Sequence, residues 1–365
     1  MTGKLRADDT LPGRASLATI ADMVSVDVVG SDLVSTRSPG DTKATEATSE
    51  SRSPRADIGE ARDSTELIDA VARRREMAAN GYLLVRNVVP VRDVEEVRDA
   101  LAGVLEGAGL TARQGSSGQR AVSPVREGLQ VDVAADRRLF RQLYAREVVH
   151  RLPHHPRLLE LAQQLLGGGA PTGPLLVHPK PAVRVVFPDP RGPVGATPAH
   201  QDHLGQQGTT EVYTLWLALV PCSRETGVLA VVPGSHHDGP RPFHPVAGSR
   251  VAGCDATALE GQWVAANLEP GDVIAFHSLT VHQALPNRSG AVRLSIDARY
   301  QRASEPVCEA TLREIPDLPW EEIYAGWSAD AAPLRRYWER LALNPVPFDA
   351  RRLTPARRTG PLNSY

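Results

Sequence analysis

The chain has 365 residues, 41% of them hydrophobic and 23% charged, with a formal net charge of -2 at pH 7. That length and apolar content fill the core of one large domain. The near-neutral charge argues against a nucleic-acid partner, which selects a basic patch or stripe, and no stretch reaches the ~18 consecutive apolar residues of a membrane span.

Residues 1–63 read as a weakly ordered leader. The segment from Ser35 to Pro54 is rich in Ser, Thr and Pro and free of aromatics, so it buries too little apolar surface to offset ordering entropy. The apolar run Ile20 to Val34 is interrupted by Asp22, Asp27 and Asp32, and no basic segment leads into it. It therefore matches no signal peptide, and a cytoplasmic location is expected.

A single domain is expected over 64–345, with N-terminal helices to 170, a core over 171–305, a helical extension over 306–345 and a tail over 346–365. Ser64 reads as an N-cap for a helix bearing Leu67, Ile68, Val71 and Ala72, ended by Asn80-Gly81. Tyr82 to Val85 is a buried strand. Pro90 opens a helix with Val94, Val97, Leu101 and Leu105 on one face, and Arg137 to Leu166 is a helical pair broken at Pro153. From Leu175 the pattern changes to short strands punctuated by Gly and Pro: Val183–Phe187, Tyr213–Leu219, Gly227–Val232, Val273–Phe276 and Val292–Tyr300. This pattern predicts an α+β chain with a mainly β core, a jelly roll with flanking helices. After Ala331, Leu334, Tyr337, Trp338 and Leu341 fall on one helical stripe, read as core packing.

Three cysteines, Cys222, Cys254 and Cys308, are widely spaced with no C-x-x-C pair, the pattern of reduced thiols rather than of a disulfide framework or zinc finger. Lysine occurs only at Lys4, Lys43 and Lys180 against a large excess of arginine. The bias fits a GC-rich bacterial genome and singles out Lys180 within the folded part.

His200-Gln201-Asp202 carries the chemistry. In extended chain, residues two apart leave the same side, so one strand end offers an imidazole and a carboxylate to one ion. Two histidines and one carboxylate form the set that holds Fe(II) on one face and leaves the other open. The third ligand must come from a distant strand, and the residues alone leave His277 and His282 as alternatives.

Several blocks resemble the phytanoyl-CoA dioxygenase family of Fe(II)/2-oxoglutarate oxygenases. They are Glu269-Pro270-Gly271-Asp272 through His277 to His282, then Pro286-Asn287-Arg288-Ser289-Gly290 up to Arg293. Trp216 to Leu219, Thr226-Gly227, Val232 to His236, and Asn80-Gly81-Tyr82 through Val89 fit the same family. The resemblance runs from about Ser64 to Gln301. It implies a double-stranded β-helix, Fe(II) held by His200, Asp202 and His282, and 2-oxoglutarate and O2 as cosubstrates. Arg293 would grip the distal carboxylate of 2-oxoglutarate bidentately, as a guanidinium fork does. Family members often carry a hydroxyl residue two past the late histidine; here that residue is Ala284. Thr214, Lys180 and Arg184 are therefore candidates for the remaining cosubstrate contacts. Related halogenases lack the carboxylate ligand, so Asp202 favours hydroxylation, with release of succinate and CO2.

Alternation adds a further reading. Arg293, Ser295, Asp297 and Arg299 share one strand face, and Val292, Leu294, Ile296 and Ala298 the other. If Arg293 points inward, Arg299 is either an anchor for a polar or anionic substrate group or a partner of Asp297 in a network that fixes Arg293. Gln201, His203 and Gln283 flank the ligands, as substrate contacts or as supports. His236, His237 and His244 read as surface residues, and His150, His154 and His155 as caps or solvated groups at a helix break. The resulting expectation is an oxygenase acting on a small molecule, in a biosynthetic tailoring step. A cupin-like metal isomerase or hydrolase and a non-catalytic binding module are the alternatives; Arg293 argues against the first, and the intact set of four cofactor residues against the second. Nothing in the sequence sets the oligomeric state.

Overall fold

The computed structural model describes residues 58–353 except 113–120, 130, 168–172, 190–196, 245, 247–248 and 250. Two sheets face each other. The smaller runs in the order Gly59–Glu60, Val264–Ala265, Leu229–Val231, His282–Ala284, Thr197–His200. The larger runs Tyr82–Val85, Val273–His277, Tyr213–Ala218, Arg293–Arg302, Leu175–Val177, with Ala182–Val186 also paired to Arg293–Arg302. Sequence neighbours are rarely sheet neighbours and most pairings are antiparallel, as in a jelly roll.

Alternation along Arg293–Arg302 explains how the larger sheet is used. One parity supplies Leu294, Ile296, Ala298 and Tyr300 to the apolar core. Helix Pro156–Leu166 packs against this strand, burying Leu158, Leu161, Leu165 and Leu166, and the Tyr300 hydroxyl donates to the Pro153 carbonyl at 2.7 Å. The other parity, Arg293, Ser295, Asp297, Arg299 and Gln301, is polar and buried as well. Burial of polar groups requires partners, and these lie between the sheets.

The helix with Val94, Val97, Leu101 and Leu105 forms over Val91–Gly107 and buries all four. Arg137 to Leu166 divides into Arg137–Tyr144, Glu147–Arg151, a single 3-10 turn at Leu152–His154 and Pro156–Leu166, with the break at Pro153.

The first helix differs from expectation. It spans Ala70–Asn80, and Asp69 caps it by accepting from the Val71 and Ala72 amides. Ser64 lies outside, its amide donating to the Leu84 carbonyl at 2.8 Å, and Ile68 is 80% exposed. The stripe through Leu67, Ile68 and Val71 failed because Asp69 satisfies two helix-start donors, whereas Ser64 is tied to the sheet. The sheet also starts ahead of Ser64, since Gly59–Glu60 pair in parallel with Val264–Ala265. The other leader readings, over 1–57, lie outside the described residues, as does the tail beyond Leu353.

The C-terminal stripe does not form a continuous helix. Two 3-10 turns, Ala332–Leu334 and Tyr337–Arg340, are separated at Arg336, whose φ of 44° is left-handed. The stripe residues still join a second apolar cluster with Phe140, Tyr144, Trp320, Ile323, Trp327 and Trp338. His150 belongs there too: it is buried, and its Nε2 lies 2.8 Å from the Tyr144 carbonyl. The expectation that it is solvated is corrected by that packing. His155 does cap a helix, its Nδ1 accepting from the Arg157 amide.

Candidate metal centre

His200 and His282 sit directly opposite each other on neighbouring strands of the smaller sheet. Each ring is oriented by its own backbone: Nδ1 of His200 lies 2.8 Å from the Pro198 carbonyl, and Nδ1 of His282 lies 3.0 Å from the Thr280 carbonyl. A carbonyl only accepts, so each Nδ1 carries its proton and each Nε2 presents a lone pair. The Nε2 atoms lie 3.8 Å and 3.7 Å from the same Asp202 Oδ1. These three residues are the one group of this kind found among the described residues, and all are buried. Bonds of ~2.0–2.2 Å to one divalent ion span up to ~4.2 Å between ligands, so these separations fit an ion. The buried His200 Nε2 has no hydrogen-bond partner, which is the state of an atom that completes its bonding with a metal.

His277 is excluded by direction. Its Nε2 faces Glu211 Oε1 at 3.6 Å, and its Nδ1 accepts from the Leu279 amide. The alternative left open by the sequence is thus decided for His282.

Asp202 is held from behind. Its Oδ2 accepts from the Thr214 hydroxyl at 2.6 Å and from Arg299 Nε at 3.0 Å, while Arg299 Nη2 reaches Oδ1 at 3.1 Å. Burial opposes ionisation of this carboxyl, but the Arg299 guanidinium and the two histidines outweigh it and hold it far below the usual carboxylate range. Two expectations are corrected here. Thr214, a cosubstrate candidate, has its hydroxyl on the metal carboxylate. Arg299, a substrate-anchor candidate, has its fork on the same group, and the alternative Asp297–Arg299 pairing is not formed. Asp297 instead pairs with Arg184 at 3.1 Å, which removes Nε of that arginine from cosubstrate duty.

Arg293 is 1% exposed. Its Nη1 donates to the Gly227 carbonyl, and its Nε is buried without a partner. Burial pulls its pKa down to about 10, assisted by Arg184 and opposed by Cys222 and Asp297, so it is charged at neutral pH. No carboxylate pairs with it among the described residues. A buried guanidinium in that state is costly unless an anion joins it. Gly227 is needed here: its φ is +83°, and a side chain would strike the Leu285 carbonyl.

The other candidates have different occupations. Lys180 Nζ donates to the Ala310 carbonyl at 2.6 Å, tying the C-terminal extension to the core, and burial lowers its pKa to about 8. Gln201 is wholly engaged with backbone: Nε2 donates to the Gly239 and Leu279 carbonyls, and Oε1 accepts from the Arg241 amide. It braces the loop beside the site and has no free group for a substrate. Gln283 alternates with His282 along the strand and so points to the other face. His203 is buried, and its Nδ1 has no partner. Sequence reasoning missed His178 and Gln301. The amide of Gln301 donates to the carbonyls of Arg302, Glu305 and Pro306, leaving Oε1 to accept from His178 Nε2 at 2.9 Å. Gln301 was discoverable as the next inward residue after Arg299; His178 had no local signal.

A family model described as phytanoyl-CoA dioxygenase (PhyH) matches residues 77–295. The chain belongs to this family. Among curated relatives, 1-deoxypentalenic acid 11-beta-hydroxylase of Streptomyces arenae is 33% identical over 168 residues, 41% of this chain and 56% of the relative. The match therefore spans little more than half of that relative's length. Human peroxisomal phytanoyl-CoA dioxygenase is 23% identical over 63% of this chain and 68% of its own. Among solved structures, the epimerase SnoN in complex with Fe3+, alpha ketoglutarate and nogalamycin RO is 26% identical, with a TM-score of 0.44 over 65% of this chain and 84% of its own. No helix among the described residues is long and apolar enough to cross a membrane.

Proposed function

We propose that this family member is an Fe(II)- and 2-oxoglutarate-dependent oxygenase that hydroxylates an unactivated C–H bond of a small molecule. The observation that carries this reading is the pairing of two buried features. One is the trio His200, Asp202 and His282, with both imidazole Nε2 atoms converging on one carboxylate oxygen. The other is Arg293, charged, buried and without a carboxylate. A zinc or manganese isomerase needs the first but not the second. The hydroxylase relative from Streptomyces and the arginine-rich composition support a tailoring step in secondary metabolism.

Iron with 2-oxoglutarate and O2 supplies an oxidant that breaks a strong C–H bond, with release of succinate and CO2. The chain's own part is to hold and orient. His200 and His282 offer neutral imidazoles fixed by the carbonyls of Pro198 and Thr280. Asp202 would offer Oδ1, with Thr214 and Arg299 fixing the carboxylate through Oδ2 and Arg299 also reaching Oδ1. Arg293 takes the distal carboxylate of 2-oxoglutarate, a charge-assisted contact in a water-poor setting.

Anaerobic titration of the metal-free protein with Fe(II) and 2-oxoglutarate tests the reading through the visible charge-transfer band of the chelate. The band should appear in the wild type, vanish in His282→Ala and require far more cosubstrate in Arg293→Ala. A wild type that binds iron yet develops no band overturns the proposal.

A further inference from the structure

Asp202 is carried by a single helical turn, His203–Gln206. Its carbonyl accepts from the Gly205 and Gln206 amides, both at 3.0 Å, and the Gln207 amide closes the turn on the His203 carbonyl at 2.8 Å. A turn this short is not stable by itself, so whatever holds its two ends decides where the carboxylate sits. Arg299 and Thr214 hold the Asp202 end. The other end is Gln207, whose φ of 48° and ψ of -157° are strained for a residue with a side chain. Such a conformation persists only where the surroundings enforce it.

Those surroundings belong to the C-terminal extension. Gln207 is buried, and its amide makes a two-point clasp on the backbone of Asp349. Nε2 donates to the Asp349 carbonyl at 3.1 Å, and Oε1 accepts from the Asp349 amide at 2.8 Å. The next residue, Gly208, lies so close to the Pro306 carbonyl that a Cβ would come within 2.6 Å of it. The Thr209 amide donates to that same carbonyl at 2.9 Å. Pro306–Cys308 in turn pair in parallel with Asn344–Val346, three residues short of Asp349. The extension therefore grips residues 207–209 from two neighbouring segments. Both segments lie beyond residues 77–295, the span that the family model matches.

We infer that the C-terminal extension is part of the metal centre, with Gln207 the positioning residue through which the Asp349 backbone sets the turn bearing Asp202. This rests on the metal site proposed above. Released from Asp349, Gln207 is free to leave its strained conformation, and the turn relaxes. The Asp202 carboxylate then loses its alignment with the two imidazoles. Loss of a support behind a metal ligand weakens metal binding by about tenfold or more. A clasp that only fastens the extension to the core would lower the melting temperature and leave metal affinity as it was.

The experiment uses the clasp's restriction to the backbone of Asp349. Co(II) affinity and the visible ligand-field spectrum of bound Co(II) are measured on full-length protein, well below the melting temperature. Gln207→Ala is compared with wild type. Asp349→Pro, which lacks the amide donor, is compared with Asp349→Ala, which keeps it. The expected result is about tenfold weaker binding and an altered spectrum in Gln207→Ala and in Asp349→Pro, each against its reference. Combining Gln207→Ala with Asp349→Pro should add no further loss, because both remove one contact. Unchanged affinity and spectrum in both comparisons overturn the inference, even with a lowered melting temperature, and leave the metal site intact. Additive losses in the double variant overturn it as well, since the two residues would then act separately. A wild type that binds no Co(II) removes the metal site itself.

Discussion

Arg299 and Asp202 form a two-point ion pair inside the fold, Nε to Oδ2 at 3.0 Å and Nη2 to Oδ1 at 3.1 Å, with both side chains under 3% exposed. The pair fixes which oxygen of Asp202 faces the histidines, and it keeps the carboxyl ionised where burial alone would protonate it. Removing one partner of such a pair leaves a bare buried charge, at a cost of about 3–5 kcal/mol. Arg299→Leu should therefore destabilise the metal-free protein by that order and let burial push the Asp202 pKa up. Protons then compete with the metal, so Co(II) affinity should fall more at pH 6 than at pH 8. Equal losses at both pH values would show that the arginine acts only on packing.

Gly227 couples the backbone to Arg293, the arginine proposed to hold the cosubstrate. Its carbonyl accepts from Arg293, and its left-handed conformation has no room for a methyl group beside Leu285. Gly227→Ala should cost at least ~1 kcal/mol from the backbone alone and should weaken 2-oxoglutarate binding, with metal affinity preserved. The charge-transfer titration used for Arg293→Ala reads this directly.

Gln201 sits between His200 and Asp202, the proposed metal ligands, but works on the backbone. Gln201→Leu strands the Gly239 and Leu279 carbonyls and the Arg241 amide, each buried loss costing ~1–3 kcal/mol. A clear drop in chemical-denaturation stability is expected, with turnover of the folded enzyme little changed. A selective rise in KM for the organic substrate, at unchanged stability, would restore Gln201 as a substrate contact.

Two buried histidines and one half-buried one predict loosening in acid. Burial lowers the pKa of His150, His154 and His178 to about 4, below the unfolded value of ~6.5. Above that value both states are neutral and full stability is present. Between pH 6.5 and 4 the unfolded chain takes up protons that the folded chain refuses, so stability falls with pH at up to ~1.4 kcal/mol per unit for each histidine. His150 contacts Trp327 and His154 contacts Tyr337, next to the cluster holding Trp320 and Trp338. Tryptophan fluorescence followed from pH 7 to 4 should show the change, and His150→Phe should move it to lower pH. A flat signal across that window would place the loss elsewhere.

Much of the site was legible because strand alternation is a local property. The parity of Arg293, Ser295, Asp297 and Arg299 put all four inward, where the structure has them buried. His200 and Asp202 do meet, but the strand ends at His200 and Asp202 is helical, so the turn after the strand rather than extended chain brings the carboxylate round. The weaker readings concerned ends and partners. The Ser64 cap failed because Asp69 competed for the same helix start, and the C-terminal helix failed because Arg336 turns left-handed between two short turns.

What the sequence determined by itself is therefore the set of inward-facing polar residues and the strands that carry them, since side-chain direction follows from the pleat alone. What only the tertiary structure decided is who meets whom. His282 rather than His277 joins the trio because the register sets His282 opposite His200. Arg299 meets Asp202, and Arg184 meets Asp297, because Arg293–Arg302 lies between Tyr213–Ala218 and Ala182–Val186. Register and strand order depend on packing between segments far apart in the chain, and no local period encodes them.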